Sequence, residues 1–410
     1  MTAAAPAPPA PPGRPEPTGA HERVEALDVI RGFALLGVLA MNVHFWFRTS
    51  MARYELDPHP YPAPVDVAVD WASAVLLSAK FMTLFSILFG IGLSIQLERA
   101  EARGDRFGRF AARRLGALLL LGVLHILLLW MGDILHLYAL IGFLLLLFLR
   151  RKTKTLLVWI AALLALPVLV VAIVSIVRGP KPPSPPDVEA LRRDLEASVQ
   201  AYGHGGWLEV ARYRLHHYVE TLGTLAPASY MALTAFLVGL VVWRAGVVQR
   251  PGEHLPRLRR TLIFGLTYGV SLSALEPALR NPPAHLIWLR VSVMALHQTA
   301  IVALALAYGA GLLLLLQRPR WQRRLRPLGD VGRMALTNYL MQSLLCGLVF
   351  YGYGLGLYDR LGPAEGLLVT AAIYTAQLLF SRFWVRRFRH GPAEWLWRSL
   401  TYGKAQPMRA

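Results

Sequence analysis

The chain repeats one pattern along its length: a long apolar run, then a short arginine-rich connection. Leu115–Met131 shows it most clearly. Its one ionisable side chain is His125, and it lacks the polar face that a soluble amphipathic helix turns to water. A run of this kind crosses a bilayer, where only structures that satisfy their own backbone hydrogen bonds are stable, so the pattern predicts helices. Composition agrees. The chain is 55% hydrophobic and 16% charged, with a mean hydropathy of +0.44. The net charge of +19 does not indicate nucleic acid, because the basic residues sit beside the apolar runs and no nucleic-acid motif accompanies them. That placement suits an anionic membrane leaflet.

Ten spans are expected, at 27–47, 80–97, 113–131, 133–149, 155–177, 226–243, 260–275, 291–316, 334–352 and 362–381. The fold class is therefore all-α and polytopic. Dense arginine clusters recur at 98–114, 244–260, 317–333 and 382–409, and Arg150, Arg151, Lys152 and Lys154 form a further basic group. With ten spans all of these fall on one side, which the positive-inside rule makes the cytoplasm, together with both termini. The segment 178–225 falls on the other side. Its basic residues are offset by Asp187, Glu189, Asp194, Glu196, Glu209 and Glu220.

The expected organisation is an Ala/Pro-rich disordered tail (1–22) and an N-terminal five-helix part (23–177). An extracytoplasmic loop follows (178–225), beginning with a stiff Pro-rich linker and continuing as amphipathic helices over 187–222. A C-terminal five-helix part (226–400) and a cytoplasmic tail (401–410) complete the chain. The N-terminus has no apolar core of the kind a cleaved signal peptide carries. Cys346 lies in an apolar run and is expected to be buried and inert.

Few polar residues interrupt the spans, and each is a candidate. Asp28 and Arg31 share a helix face at a spacing of three. Asn42 returns to the same stripe about 16 Å further along at 1.5 Å per residue, whereas His44 points nearly the opposite way. The stripe is either an anchor pair plus an interhelical asparagine, or the lining of a transmembrane site. His125 is either an interhelical hydrogen-bonding group or a functional imidazole. Asp133 is either an N-cap or the carboxylate that orients His125, and the spacing across the turn leaves their meeting open. Lys80 either snorkels to an interface or binds substrate, and His297 is a further midmembrane candidate. His136 and His285 read as interfacial. His216 and His217 have no metal-ligand partner pattern, and no metal site is expected. No Walker loop, dinucleotide glycine motif or nucleophile elbow is present.

Ala26-Leu-Asp-Val-Ile-Arg-Gly-Phe-Ala-Leu-Leu-Gly-Val-Leu-Ala-Met-Asn42 resembles the first span of the YeiB-like bacterial membrane proteins, as do Lys80–Gly90 and the run from His125 through Gly132-Asp-Ile-Leu135 to Tyr138. Gly332–Ser343 and Gly391-Pro-Ala-Glu-Trp-Leu-Trp-Arg398 resemble the DUF418 domain of that family. The family is similar, more remotely, to membrane acyltransferases of the acyltransferase-3 group and to the lysosomal heparan glucosaminide acetyltransferase. Those proteins move an acyl group from cytoplasmic acyl-CoA to a sugar on the far side. The acyltransferase-3 group pairs an Arg with a His in its first span. Arg31 and Asn42 stand at those positions here, and the lysosomal enzyme also has an asparagine there. That enzyme carries a histidine soon afterwards, and here His44 and His59 lie near but not at matching spacing.

The resemblance implies a bacterial inner-membrane protein with acyl-CoA as co-substrate and no permanently bound cofactor. The acceptor would be a small molecule or glycan carrying a hydroxyl or amine. His125, Asn42 and Asp133 would be catalytic, Asp28, Arg31, Lys80 and His297 would bind substrate, and Arg113 and Arg114 would hold the CoA. The lipid bilayer is the expected partner, a homo-oligomer is compatible, and nucleic acid is not expected. A small-metabolite transporter or exporter, or a non-catalytic scaffold, is the alternative.

Overall fold

A computed structural model describes residues 25–57, 59–104, 107–178, 187–278 and 287–409. The expected tail, the linker at 179–186 and His285 lie outside the described residues. Among those described the chain is all-helical: α1 (Glu25–Asn42), α2 (Met51–Leu56), α3 (Pro64–Leu76), α4 (Lys80–Ala102), α5 (Phe107–Leu128), α6 (Leu135–Leu145), α7 (Thr153–Arg178), α8 (Val188–Ser198), α9 (Trp207–Thr221), α10 (Leu225–Arg244), α11 (Leu255–Ala278), α12 (Ile287–Leu315), α13 (Pro319–Arg333), α14 (Ala335–Phe350), α15 (Pro363–Trp384) and α16 (Pro392–Tyr402). It is a polytopic membrane protein.

Each of the ten expected spans coincides with a helix, but the helices are not alike. Seven apolar helical segments among the described residues are long enough to cross a membrane, and one of them joins α3 to α4 over Pro64–Ala102. The helices α6 and α14 are shorter. At 1.5 Å per residue α6 measures about 16 Å, half the hydrocarbon thickness, so the predicted span 133–149 is not a full span. Turns replace helix over 146–150. The helix α11 is long but carries Arg257, Arg259 and Arg260 near its start. The helices α2, α3, α13 and α16 lie outside the ten expected spans and the expected loop helices. The helix α2 packs on α8, and α3 runs into α4 through a turn at Ala79, a non-glycine residue with φ 61°.

Lipid tails are as apolar as leucine, so helices in a membrane associate by close backbone approach rather than by the hydrophobic effect. Two reciprocal glycine contacts show this. A Cβ on Gly90 would lie 2.2 Å from the Phe236 carbonyl oxygen, and one on Gly239 would lie 2.2 Å from that of Ile87, which locks α4 to α10. Gly32 meets Leu328 and Gly332 meets Asp28 in the same way, which locks α1 to α13. Gly239→Val is expected to lower stability by about 1–3 kcal/mol, the usual range for overpacking, read as a lower unfolding temperature in a thermal scan followed by gel filtration.

The α1–α13 contact decides where the site forms. It pins the first-span stripe against the arginine-rich helix α13. The far end of α1 opens into a π-turn over Val43–Phe47, tied down by Arg48, whose Nη1 donates to the Leu361 carbonyl at 3.0 Å. The stripe is thus held at both ends.

Candidate functional site

Between α1, α4, α5, α6, α13, α14 and α16 lies a cavity of about 330 Å³. It changes character along its length. At the arginine-rich end it is lined by Asp28, Arg31, Arg99, Arg114, Arg333, Glu394, Trp397 and Arg398. The middle is apolar, with Leu35, Val38, Phe85, Leu88, Phe89, Leu93 and Leu336. The far end is lined by Asn42, Gly132, Ile134, Tyr138 and Tyr339. The structure describes a basic mouth, an apolar shaft and a polar tip.

The mouth is built by long-range contacts. Arg31 donates to the Asp28 carboxylate at 2.6 Å, so the pair is both an i,i+3 bridge and part of the lining. The Arg114 guanidinium lies 3.6 Å from the Trp397 ring centroid, and the Trp397 indole donates to the Arg114 carbonyl at 2.9 Å. This double contact docks α16 on α5 and aims one of two adjacent arginines inward. Arg113, the other arginine expected to hold CoA, is exposed and outside the cavity. Glu394 caps α14. Its carboxylate accepts the Leu336 backbone N–H at 2.6 Å, the Thr337 N–H at 3.2 Å and the Thr337 hydroxyl at 2.6 Å. A carboxylate at a helix N-terminus satisfies orphan donors and suits the helix dipole.

At the tip, Asn42 is buried and lines the cavity, and its side chain has no hydrogen-bond partner among the described residues. The Tyr138 hydroxyl is bound to the Ser86 hydroxyl (2.5 Å) and the Met82 carbonyl (3.1 Å). The Tyr339 hydroxyl accepts the Ile134 N–H at 3.2 Å. Behind Tyr339, 5.2 Å between ring centroids, stands His125.

His125 and Asp133 meet. The His125 Nδ1 lies 2.7 Å from Asp133 Oδ1, and both side chains are fully buried. The other oxygen, Oδ2, accepts the backbone N–H of His136 at 2.8 Å and lies 2.9 Å from His136 Nδ1. Asp133 is not the N-cap of α6, a position Ile134 holds; it stands one residue earlier, where one oxygen accepts a first-turn N–H and the other meets His125. Gly122 makes room, because a Cβ there would come within 2.8 Å of Asp133 Oδ2. His125 Nε2 is buried with no partner. A carboxylate holding Nδ1–H leaves Nε2 as the basic nitrogen. His125 faces neither lipid nor the cavity. It stands one side chain behind the lining, between Tyr339 and Trp130. His136, read as interfacial, is buried and continues the network to the Tyr218 hydroxyl, 3.0 Å from its Nε2.

Two candidates are elsewhere. Lys80 is fully buried but does not line the cavity. Its ammonium donates to the Ala74 carbonyl at 2.9 Å, near the C-terminus of α3, where the helix dipole favours a cation. Its ammonium is thus held inside the protein, away from the cavity. His297 is half-buried on α12, outside the cavity, within electrostatic range of Lys80 and Glu276. His44, also outside, is buried against Asp70 with Nε2 at 3.1 Å. Arg99, Arg333, Arg398, Glu394, Tyr138 and Tyr339 are lining residues that reading the spans singly did not select. Five of them, all but Arg99, lie in the Gly332–Ser343, Gly391–Arg398 and His125–Tyr138 stretches.

A family model described as "Protein of unknown function (DUF418)" matches residues 242–404. Protein YxaH of Bacillus subtilis is 35% identical over 407 residues, covering 96% of this chain and 98% of its own. Protein YeiB of Escherichia coli is 34% identical over 411 residues, covering 94% and 98%. A 39.9 kDa protein encoded beside an amylase in Bacillus acidopullulyticus is 28% identical over 398 residues. No solved structure matches. The similarity runs through α1 and α5 as well as through the C-terminal helices that close the cavity, and on that full-length agreement the chain belongs to the YeiB-like family of DUF418 membrane proteins.

Proposed function

We propose that the protein is an inner-membrane acyltransferase that takes an acyl group from acyl-CoA at the arginine-rich, cytoplasmic end. It passes the group to a hydroxyl or amine acceptor at the far end. The observation that supports this reading is one continuous cavity with five arginines at its mouth and, at its tip, an asparagine with no side-chain partner among the described residues. Guanidinium groups bind phosphate oxygens by charge-assisted, often bidentate hydrogen bonds, which suits the anionic end of CoA. The apolar shaft suits the slender arm that carries the thioester.

The chemistry assigned to the residues follows from their atoms. The acceptor oxygen or nitrogen attacks the thioester carbonyl, and His125 Nε2 takes the acceptor proton once the Tyr339 ring gives way. Asp133 holds the resulting imidazolium by its Nδ1–H. The Asn42 amide donates to the carbonyl oxygen as it becomes an oxyanion. When the carbon–sulfur bond breaks, the proton on His125 neutralises the thiolate and free CoA leaves through the basic mouth. The test is native mass spectrometry of the purified protein mixed with CoA. A one-to-one complex is expected, and an unaltered protein mass at millimolar CoA would reject the assignment.

A further inference from the structure

We infer that α9 is seated in the membrane, with its exposed apolar stripe covered by phospholipid acyl chains of the leaflet at the far end. The inference is independent of the proposed reaction. The segment containing α9 is the polar loop of the chain, where sequence predicts amphipathic helices lying over the outer face. Its exposed face is not polar throughout. Leu208, Leu215, Val219 and Leu222 are 55, 47, 58 and 47% exposed. At 3.6 residues per turn they fall within a sector of about 60°. The next sector, of similar width, holds the exposed Arg212, His216 and Glu209. The remaining face is turned to the protein through the buried Val210 and Arg214. A helix in water needs two faces, one for the core and one for solvent. This one has three, which is what a helix at a protein–lipid–water boundary requires.

Its position supplies the lipid. Arg214 is 1% exposed and donates to the carbonyls of Leu127 (2.5 Å) and Leu129 (2.6 Å). The Trp207 indole donates to the Leu128 carbonyl at 3.3 Å. These are the last two carbonyls of the span α5 and the first one after it, so α9 is clamped to the rim of the membrane part rather than held above it. The α5 side chains beside that rim, Leu124, Leu127 and Leu128, are themselves 41–47% exposed and face lipid. The α9 stripe continues that surface. The half-exposed Trp207 at its start, with its indole N–H satisfied, is placed as aromatic side chains are at membrane interfaces. Because Tyr218 of the same helix contacts His136, lipid packing against α9 also sets the seat of the buried histidine–aspartate network.

Collision-accessibility electron paramagnetic resonance tests this directly. Single-cysteine variants Leu215→Cys, Val219→Cys and Arg212→Cys, made in a Cys346→Ala background, carry a nitroxide and are reconstituted into lipid vesicles. Positions 215 and 219 are expected to collide with dissolved oxygen at least threefold more, relative to a water-soluble nickel chelate, than position 212. Preferential collision with nickel at all three would place α9 in water and overturn the inference. Low accessibility to both reagents at 215 and 219 would mean a second copy covers the stripe, and would also overturn it. Should labelling impair folding, hydroxyl-radical footprinting of the unmodified protein in nanodiscs reads the same contrast. Leu215 and Val219 are expected to be protected while His216 is modified, and equal modification would be contrary.

Discussion

Replacing His125 with glutamine is expected to slow acyl transfer by about 10²–10⁴-fold, the range general-base catalysis supplies, while CoA binding is unchanged. Glutamine retains a hydrogen-bonding group that can meet Asp133 but has no basic nitrogen. The histidine is buried beside a carboxylate 2.7 Å away, with its other nitrogen unused. A merely structural imidazole would tolerate the change, and full activity in His125→Gln would assign it that role. Asp133→Asn is expected to be the more damaging for folding. It weakens three contacts at once, to His125, to the His136 ring and to the His136 backbone N–H.

The second large effect lies at the opposite end of the cavity. Arg398→Glu and Arg114→Glu are each expected to weaken CoA binding by about 10–100-fold, because a hydrogen bond to a charged group contributes about 1.5–3 kcal/mol and reversal adds repulsion. Arg113→Glu, one residue from Arg114 but outside the cavity, is expected to change binding little beyond a salt-dependent long-range term. Titration of the three variants by native mass spectrometry checks the contrast. Equal losses at 113 and 114 would show that general surface charge, not the cavity, holds the anion.

The contrast between Arg113 and Arg114 also shows what the sequence could and could not reveal. Hydropathy placed every span on a helix, because a 20-residue apolar run has no stable alternative in a bilayer. The Asp28–Arg31–Asn42 stripe was legible because helical periodicity alone puts those residues on one face. The α6 half-span was not. Apolar length is visible in sequence, whereas the point where a helix gives way to turns depends on what packs against it. The side of a basic cluster that turns inward was equally hidden. Arg114 is chosen by Trp397, 283 residues away, and Lys80 is diverted to the end of α3, a helix the hydropathy pattern does not separate from α4. The His125–Asp133 meeting was open for a related reason. Eight residues across a turn fix a neighbourhood and not a distance, and the approach needs the room that Gly122 leaves.

Sided membrane vesicles test most directly whether an acyl group enters at the arginine-rich end and leaves at the other under the action of His125, as proposed. Acyl-CoA labelled in its acyl group is added to inside-out vesicles containing the protein and to right-side-out vesicles from the same cells. Label transfer to membrane or lumenal acceptors is predicted for the inside-out vesicles alone, and predicted to be lost with His125→Gln. No transfer from either face, or equal transfer with wild-type and His125→Gln protein, would contradict the account.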